Sequence, residues 1–436
     1  MESEHIYHLY PLGFTGANQK SNDGQQKQTI RGIIDLLPHL KSLNVTTLLL
    51  GPIFESETHG YDTRDYRLVD RRLGSNEDLK DLVLACHKAN IKVMLDCVFN
   101  HIGRSHYIFR DLQAQREGSK YHHWIQGMNF QGQSPMGDGF DYDCWDGHAS
   151  LVKMNLNHQE VRDYLIETAL SWLSDYDIDG LRMDAADVMS KDFLKALTKA
   201  MKEMKKDFMM LGEVVHGNYN EWLVDGGLDA VTNYEVYKGL YSSLNDENYF
   251  EVAYALNRQF GDGGFYPIGS MLNFVDNHDV DRVASKLKKD AYLYPLYIML
   301  YTIPGIPCLY YGSEYGEKAV KSKGSDADLR PEWADVAKEN EAVYKTICRL
   351  SKLHQNQIAI REGGYQQIHI DHKVIAYRRQ CSSQEVYIFI NAKDEVTHIP
   401  TPMIHGDFYD LLNDRPYRCD GTIELDSYWG RILVRQ

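Results

Sequence analysis

Short apolar runs alternate with helical stretches eight times over about 320 residues, and this alternation constrains the fold more than any other feature of the chain. The runs read as strands at 5–11 (HIYHLYP), 46–53 (TTLLLGPI), 92–99 (KVMLDCVF), 180–187, 208–215, 230–234, 271–275 and 307–312. A polar loop from Thr15 to Gln28 follows the first of them. Ile30, Ile33, Ile34, Leu37 and Leu40 then recur at helical spacing, with Pro38 marking a kink or a restart. Ser75-Asn-Glu-Asp78 is a capping box that opens a helix through about Ala89. Val161, Tyr164, Leu165, Thr168 and Trp172 predict another helix, and more are expected near 191–206, 291–302 and 332–355. Such a series predicts an α/β chain whose parallel sheet closes into a (β/α)8 TIM barrel. An open doubly wound sheet is the alternative. The chain has no Gly-rich phosphate loop after its first strand, which counts against it.

Two stretches break the rhythm. Residues 102–150 are rich in Gly, His, Asp and aromatics and have no period, so they read as a short irregular insertion after the third strand. Toward the C-terminus the short alternating runs VIAYRR, VYIFIN, TIELD and RILVR predict an antiparallel β-sandwich. The expected division is a barrel over 1–101 and 151–355, an inserted second domain over 102–150, and the sandwich over 356–436. With 436 residues the chain is too long for one ordinary core.

The net charge of −15 argues against nucleic acid or an anionic membrane as partner. Thirty tyrosines suit a polyhydroxylated ligand, since each offers an apolar face and a hydroxyl. Cys86, Cys97, Cys144, Cys308, Cys348, Cys381 and Cys419 are odd in number, and no two have metal-ligand spacing. Reduced thiols and a cytoplasmic location are the expectation. The start, Met1-Glu-Ser-Glu-His5, lacks the basic region of a signal peptide, and no apolar run reaches the length of a membrane span.

The chemistry gathers where strands end. In Gly180-Leu-Arg-Met-Asp184, period 2 puts Arg182 and Asp184 on one face of an apolar strand. Burying such a pair is costly unless something uses it, although a structural ion pair alone would explain it. Other strand ends carry Asp96, Asn100 and His101; Glu213; and His278 and Asp279. In a (β/α)8 barrel these ends share one mouth. Asp184, Glu213 and Asp279 packed close cannot all stay ionised cheaply, so one should titrate high. That suits an acid paired with a nucleophile, as in glycoside hydrolysis. A chelate for a divalent metal is the other reading of the same residue types.

These stretches resemble the sequence regions of the α-amylase superfamily, glycoside hydrolase family 13. Asp96-Cys-Val-Phe-Asn-His101 resembles its first region, Gly180-Leu-Arg-Met-Asp184 its second, Gly212-Glu213-Val its third, and Phe274-Val-Asp-Asn-His-Asp279 its fourth. His59-Gly-Tyr-Asp62 resembles the segment that supplies a sugar-stacking tyrosine. Leu151-Val-Lys-Met-Asn155 resembles the fifth motif of the neopullulanase and cyclomaltodextrinase branch, with Val152 where that branch has proline. The resemblance covers essentially the whole chain. It implies a retaining hydrolase of α-1,4-glucosidic bonds in maltodextrins, starch or cyclodextrins, acting through a covalent glycosyl-enzyme. An α-glucosidase or α-glucan transferase of the same superfamily is the alternative, and a non-catalytic sugar-binding relative a remote one. It further implies Asp184 as nucleophile, Glu213 as general acid and then base, and Asp279 as stabiliser of the distorted sugar. Tyr61 would stack on the sugar, His101 and His278 would bond its hydroxyls, and Arg182 would keep Asp184 ionised. Asp328 and Arg330 would contact sugars further along. Trp124, Tyr142 and Trp145 are further candidate platforms, each equally suited to packing. No organic cofactor is expected; calcium is optional, with Asn100 its candidate ligand and Asp141 or Asp143 as partners.

The chain also departs from the family. Asp187 and Val188 stand where many α-amylases have Lys-His, and where the neopullulanase branch places Glu at the second position. The extra N-terminal domain of that branch is expected to be missing, because the first strand starts almost at once.

Overall fold

The computed structural model describes residues 4–17 and 29–435. Most of the loop expected over 15–28 falls outside them. Eight parallel strands close a barrel and follow one another around it in chain order. They are β1 (Ile6–Leu9), β2 (Thr47–Leu50), β3 (Lys92–Cys97), β4 (Gly180–Met183), β5 (Met209–Gly212), β6 (Ala230–Thr232), β7 (Met271–Asn273) and β8 (Ile306–Tyr310). β8 pairs β1, with Ile6 opposite Cys308 and His8 opposite Tyr310, so the sheet is not open.

Side chains alternate along these strands and sort the barrel interior into layers. Ile6, Leu49, Met94, Met209, Leu211, Leu272 and Ile306 form an apolar plug. Two residues further along their strands, His8 and Asp96 carry the same inward face into a polar layer above the plug. Arg182 enters that layer from β4, two residues past Gly180. Gly180 is required by close packing: a Cβ there would lie 2.8 Å from the Met209 carbonyl oxygen and from Met94 Cε.

Helices cover the barrel. Ser75 caps Asn76–Lys88 through the reciprocal bonds with Asp78 that the sequence pattern predicts. Leu79, Leu82, Val83 and Cys86 are its buried face. The 30–40 pattern is a 3-10 turn over Ile30–Leu36 that restarts as a helix at Leu37–Ser42, with the proline in its first turn. Helices Tyr234–Asn245 and Phe250–Phe260 stand between β6 and β7. The helix expected from 332 begins at Glu341, where Asn340 caps it by accepting from Val343 N.

Residues 101–153 are more ordered than their composition suggests. Helix Tyr107–Gln115 buries Ile108, Phe109 and Leu112. His101–Gly103, Cys144–Trp145 and His148–Lys153 form a small antiparallel sheet beside the barrel mouth. The C-terminal antiparallel part is one continuous six-stranded sheet over Gly364–Arg435. One face packs on the barrel, where Arg379 Nη1 donates to the Thr302 carbonyl (2.7 Å). The other face encloses its own core of Phe389, Ile399, Ile404, Phe408, Ile423 and Leu433. The two longest strands, Thr397–Asp410 and Arg415–Leu425, shift register between Pro400 and His405, and such an irregularity lets a sheet bend over itself.

Candidate active site

The mouth of the barrel is built around one buried guanidinium. Arg182 Nη1 donates to both oxygens of Asp96 (2.8 and 2.7 Å) and to Asp184 Oδ1 (3.3 Å). Arg182 Nη2 pairs with Glu213 Oε1 (2.8 Å). Three carboxylates from the ends of β3, β4 and β5 therefore share one cation. The strands deliver them in step: Asp184 N–H bonds the Cys97 carbonyl (3.1 Å), and Glu213 N–H bonds the Met183 carbonyl (2.9 Å). β4 and β5 stop sooner than the apolar runs suggest because the chain leaves the sheet there. Ala185 makes that exit with φ +49°, a left-handed backbone at a non-glycine residue. Its N–H donates to Glu213 Oε2 (3.0 Å).

Asp279 enters from the loop after β7. Its Oδ2 lies 3.0 Å from His278 Nε2 and its Oδ1 accepts from Arg330 Nη2 at 3.0 Å. Arg330 also donates to the His278 carbonyl (3.1 Å) and to Tyr10 Oη (3.2 Å), pairs with Asp326 (3.3 Å), and lies 4.5 Å over the Tyr10 ring. Tyr61 Oη donates to Asp96 Oδ2 (3.0 Å) and touches His278 Nε2. The Tyr61 and Tyr10 rings run nearly parallel to the His278 ring, with centroids 5.5 and 5.7 Å away.

The electrostatics divide these carboxyls. Burial pushes Asp184 well above the usual carboxylate range, and the charge of Glu213 adds to it against Arg182. Burial also raises Glu213, opposed by Arg182 and helped by Asp279. The two titrate as a pair that holds one proton. Burial pushes Asp279 up too, but His278, Arg330 and Arg182 outweigh it and hold Asp279 well below that range. An acid, a base and a fixed anion thus stand at one mouth. A divalent cation does not fit among them, because the guanidinium already sits against the carboxylates. Among the described residues no three His, Cys, Asp or Glu side chains converge as a metal site. The Asn100 side-chain amide nitrogen lies 3.3 Å from His101 Nδ1 and its backbone carbonyl accepts from Met154 N (3.0 Å), while Asp143 is exposed.

Residues 8–357 match the alpha-amylase catalytic domain. The chain belongs to the alpha-amylase family. It is similar to a cyclomaltodextrinase of Geobacillus thermopakistaniensis, 31% identical over 389 residues, covering 86% of this chain and 64% of that protein. A Bacillus cyclomaltodextrinase is also 31% identical, over 382 residues, with 66% of its length spanned. The chain thus spans about two thirds of these relatives. Among solved structures, the cyclic alpha-maltosyl-(1→6)-maltose hydrolase of Arthrobacter globiformis is 26% identical with a TM-score of 0.85. That likeness covers 100% of this chain and 99% of the other.

The structure of this alpha-amylase family member brings Tyr61, Arg182, Asp184, Glu213, His278, Asp279 and Arg330 together. His101 is adjacent, with both ring nitrogens engaged, by the Tyr61 carbonyl (3.0 Å) and by Asn100. Burial pushes its pKa down to about 4. Asp328 is exposed, and the carboxylate that reaches Arg330 is Asp326. The two lie in one irregular loop, where no periodicity marks which faces inward. Trp145 lies over His101 (centroids 5.8 Å apart). Tyr142 is buried, donating to the Ala149 carbonyl (2.8 Å), and Trp124 packs on Tyr121 and Tyr164. After β4 and β5, Val188 and His216 are exposed, and Asp187 accepts from Val215 N (3.4 Å). Sequence reading passed over Tyr10 and Asp326. Tyr10 ends β1, so the rule that strand ends line the mouth could have found it.

Proposed function

We propose that this chain is a retaining glycoside hydrolase of α-1,4-glucosidic bonds in maltodextrins, starch or cyclodextrins. The observation that carries the reading is the single Arg182 guanidinium shared by Asp184 and Glu213, with Asp279 held separately as an anion. Both carboxyls of the pair touch one cation, which keeps them close. The retaining mechanism needs a separation of about 5–5.5 Å. With the shared proton on Glu213, Asp184 attacks the anomeric carbon as a carboxylate. Glu213 protonates the leaving oxygen, and a glycosyl ester forms on Asp184. Glu213, now a carboxylate, takes a proton from water, which attacks the ester and restores both groups. Asp279 faces the positive charge that develops on the sugar ring, and its contacts with Arg330 and His278 fix its position. Tyr61 and His278 line that sugar, and Arg330 with Asp326 closes its far side.

We place the enzyme in the cytoplasm. All seven cysteines are free thiols, and relatives at 29% identity are named intracellular maltogenic amylases of Bacillus subtilis. Among the described residues no helix is long and apolar enough to cross a membrane. A narrower reading favours small cyclic glucans, because one of the structures matched along nearly both whole lengths, at 25–26% identity, is a hydrolase of a cyclic maltosyl-maltose.

Time-resolved product analysis on maltoheptaose, β-cyclodextrin, cyclic maltosyl-maltose and soluble starch tests both, with Asp184→Asn as control. Fast opening of either ring with slow starch digestion supports the cyclic reading. A spread of short oligomers from starch makes it an α-amylase proper. Products longer than the substrate make it a transferase and remove the hydrolase assignment.

A further inference from the structure

Below the cleft lies a histidine that this mechanism does not use. His8 points into the barrel from β1, with Leu49 and Tyr310 as its register neighbours. It is 5% exposed, and its Nε2 has no hydrogen-bond partner. Its ring meets that of His278 edge-on, with centroids 5.0 Å apart and planes at 82°. His278 is fully buried and its Nδ1 is likewise unpartnered. Leaving two buried polar nitrogens unpaired in touching rings is costly unless they serve each other.

The hydrogen placement follows from the neighbours. Asp279 offers His278 Nε2 only lone pairs, and Tyr61 directs its proton to Asp96, so both groups beside Nε2 accept. Nε2 therefore carries hydrogen. In a neutral ring Nδ1 is then an acceptor and needs a donor on the buried side. The parallel rings of Tyr10 and Tyr61 hold the plane of His278 but do not set its rotation within that plane. His8 is set at nearly a right angle to that plane. Burial keeps His8 uncharged, holding it well below the ordinary histidine range. The Arg182 and Arg282 charges push the same way, and Asp279 opposes them. Tyr310 is the remaining polar ring beside it, at 5.2 Å.

We propose that His8 is a positioning residue, whose Nε2–H against the buried edge of His278 fixes that ring with its own Nε2–H toward the cleft. The kinetic part rests on the sugar-binding reading above; the tautomer itself does not. A misplaced His278 would lose its bond to Asp279 and so loosen the carboxylate that faces the sugar.

The test uses the full chain, with His8→Phe keeping the ring without nitrogens and His8→Gln restoring a donor. His8→Phe should lose about tenfold in kcat/KM on maltoheptaose, the size of one net hydrogen bond, while His8→Gln recovers most of it. Long-range 1H–15N spectra of histidine-labelled protein, assigned with His278→Gln, should show His278 as the Nε2–H tautomer in wild type and in His8→Gln. In His8→Phe they should show a mixture. Wild-type kcat/KM in His8→Phe together with an unchanged His278 signal would overturn the proposal. An Nδ1–H tautomer in the wild-type protein would overturn it without any variant, so it stays testable if His8→Phe does not fold. If no α-glucan is turned over by wild type, the sugar reading fails and the spectra still decide the role of His8.

Discussion

The two ends of the barrel use the same charged residues in opposite ways. At the bottom, where the strands begin, cations are as plentiful as the acids they meet, and Lys205 and His87 serve both Asp177 and Asp179. Asp179 accepts from Lys205 Nζ, the Val93 amide and His87 Nε2, each at 2.8 Å. Asp229 accepts from Lys202 and from the Met210 amide, and Glu4 from Thr46, Thr47 and Lys92. At the mouth, Asp96, Asp184 and Glu213 share one cation, Arg182. The charges answer accordingly. Burial would raise Asp179, but Lys205, the Val93 amide and His87 hold it below the usual range, whereas Asp184 and Glu213 are both raised. One end is satisfied and serves the fold; the other is short of positive charge and stores the difference for chemistry.

Breaking the mouth should have the largest effect. Asp184→Asn removes the proposed nucleophile and no packing, so turnover should fall by about a thousandfold or more with the fold intact. Activity within tenfold of wild type on every α-glucan would defeat the assignment. Next comes Glu213→Gln. It should slow unactivated glucans by about 10²–10⁴-fold, because protonation of a poor leaving group matters most. Aryl glucosides with good leaving groups should be much less affected. An equal loss on both would argue against the acid role.

The mouth was legible in sequence for a physical reason, and other parts were not. Period 2 is a property of one strand, so Arg182 and Asp184 could be placed on one face from five residues. Asp96, Glu213 and Asp279 followed from the rule that barrel strand ends converge. The closed barrel followed from the same alternation. Contacts made across the chain left no such trace. Arg330 reaches Tyr10 and Asp279, which lie 320 and 51 residues away, and no local pattern encodes that. The same is true of the edge-on contact between His8 and His278. The bend of the C-terminal sheet depends on an irregularity between Pro400 and His405 in a pairing of two long strands, which neither strand shows alone.

A change at the bottom should read out in stability and not in rate. Asp179→Asn keeps an oxygen for the Val93 amide but loses the charge that Lys205 and His87 face. A charge-assisted bond of this kind contributes about 2 kcal/mol, which lowers Tm by about 2–4 °C in a chain of this length. Because the Asp179 carboxyl is depressed in the fold, its contribution is present above its unfolded value near 4 and lost as pH falls through the folded value. Wild type and variant should therefore melt furthest apart near pH 7 and converge in acid. kcat/KM within twofold of wild type is expected. A tenfold loss of activity would mean that the two ends are coupled.

The smallest effect has the opposite sign and sharpens the contrast most. Asp184 is raised in the fold, so its charged form is disfavoured there and wild type loses stability as pH climbs above the unfolded value near 4. Asn carries no charge and escapes that penalty, while Arg182 keeps Asp96 and Glu213 as partners. Asp184→Asn should therefore be the more stable protein at pH 7, by about 1 kcal/mol, the usual gain when an active site is relieved of strain. The gain should shrink toward pH 4, where wild type is protonated in both states. Thermal melts of Asp184→Asn and Asp179→Asn from about pH 2 to 8 read this directly: both differences vanish in acid, one opening upward and the other downward as pH rises. A lower Tm for Asp184→Asn at pH 7 would mean that Arg182 has charge to spare, and the mouth would then be no different from the bottom.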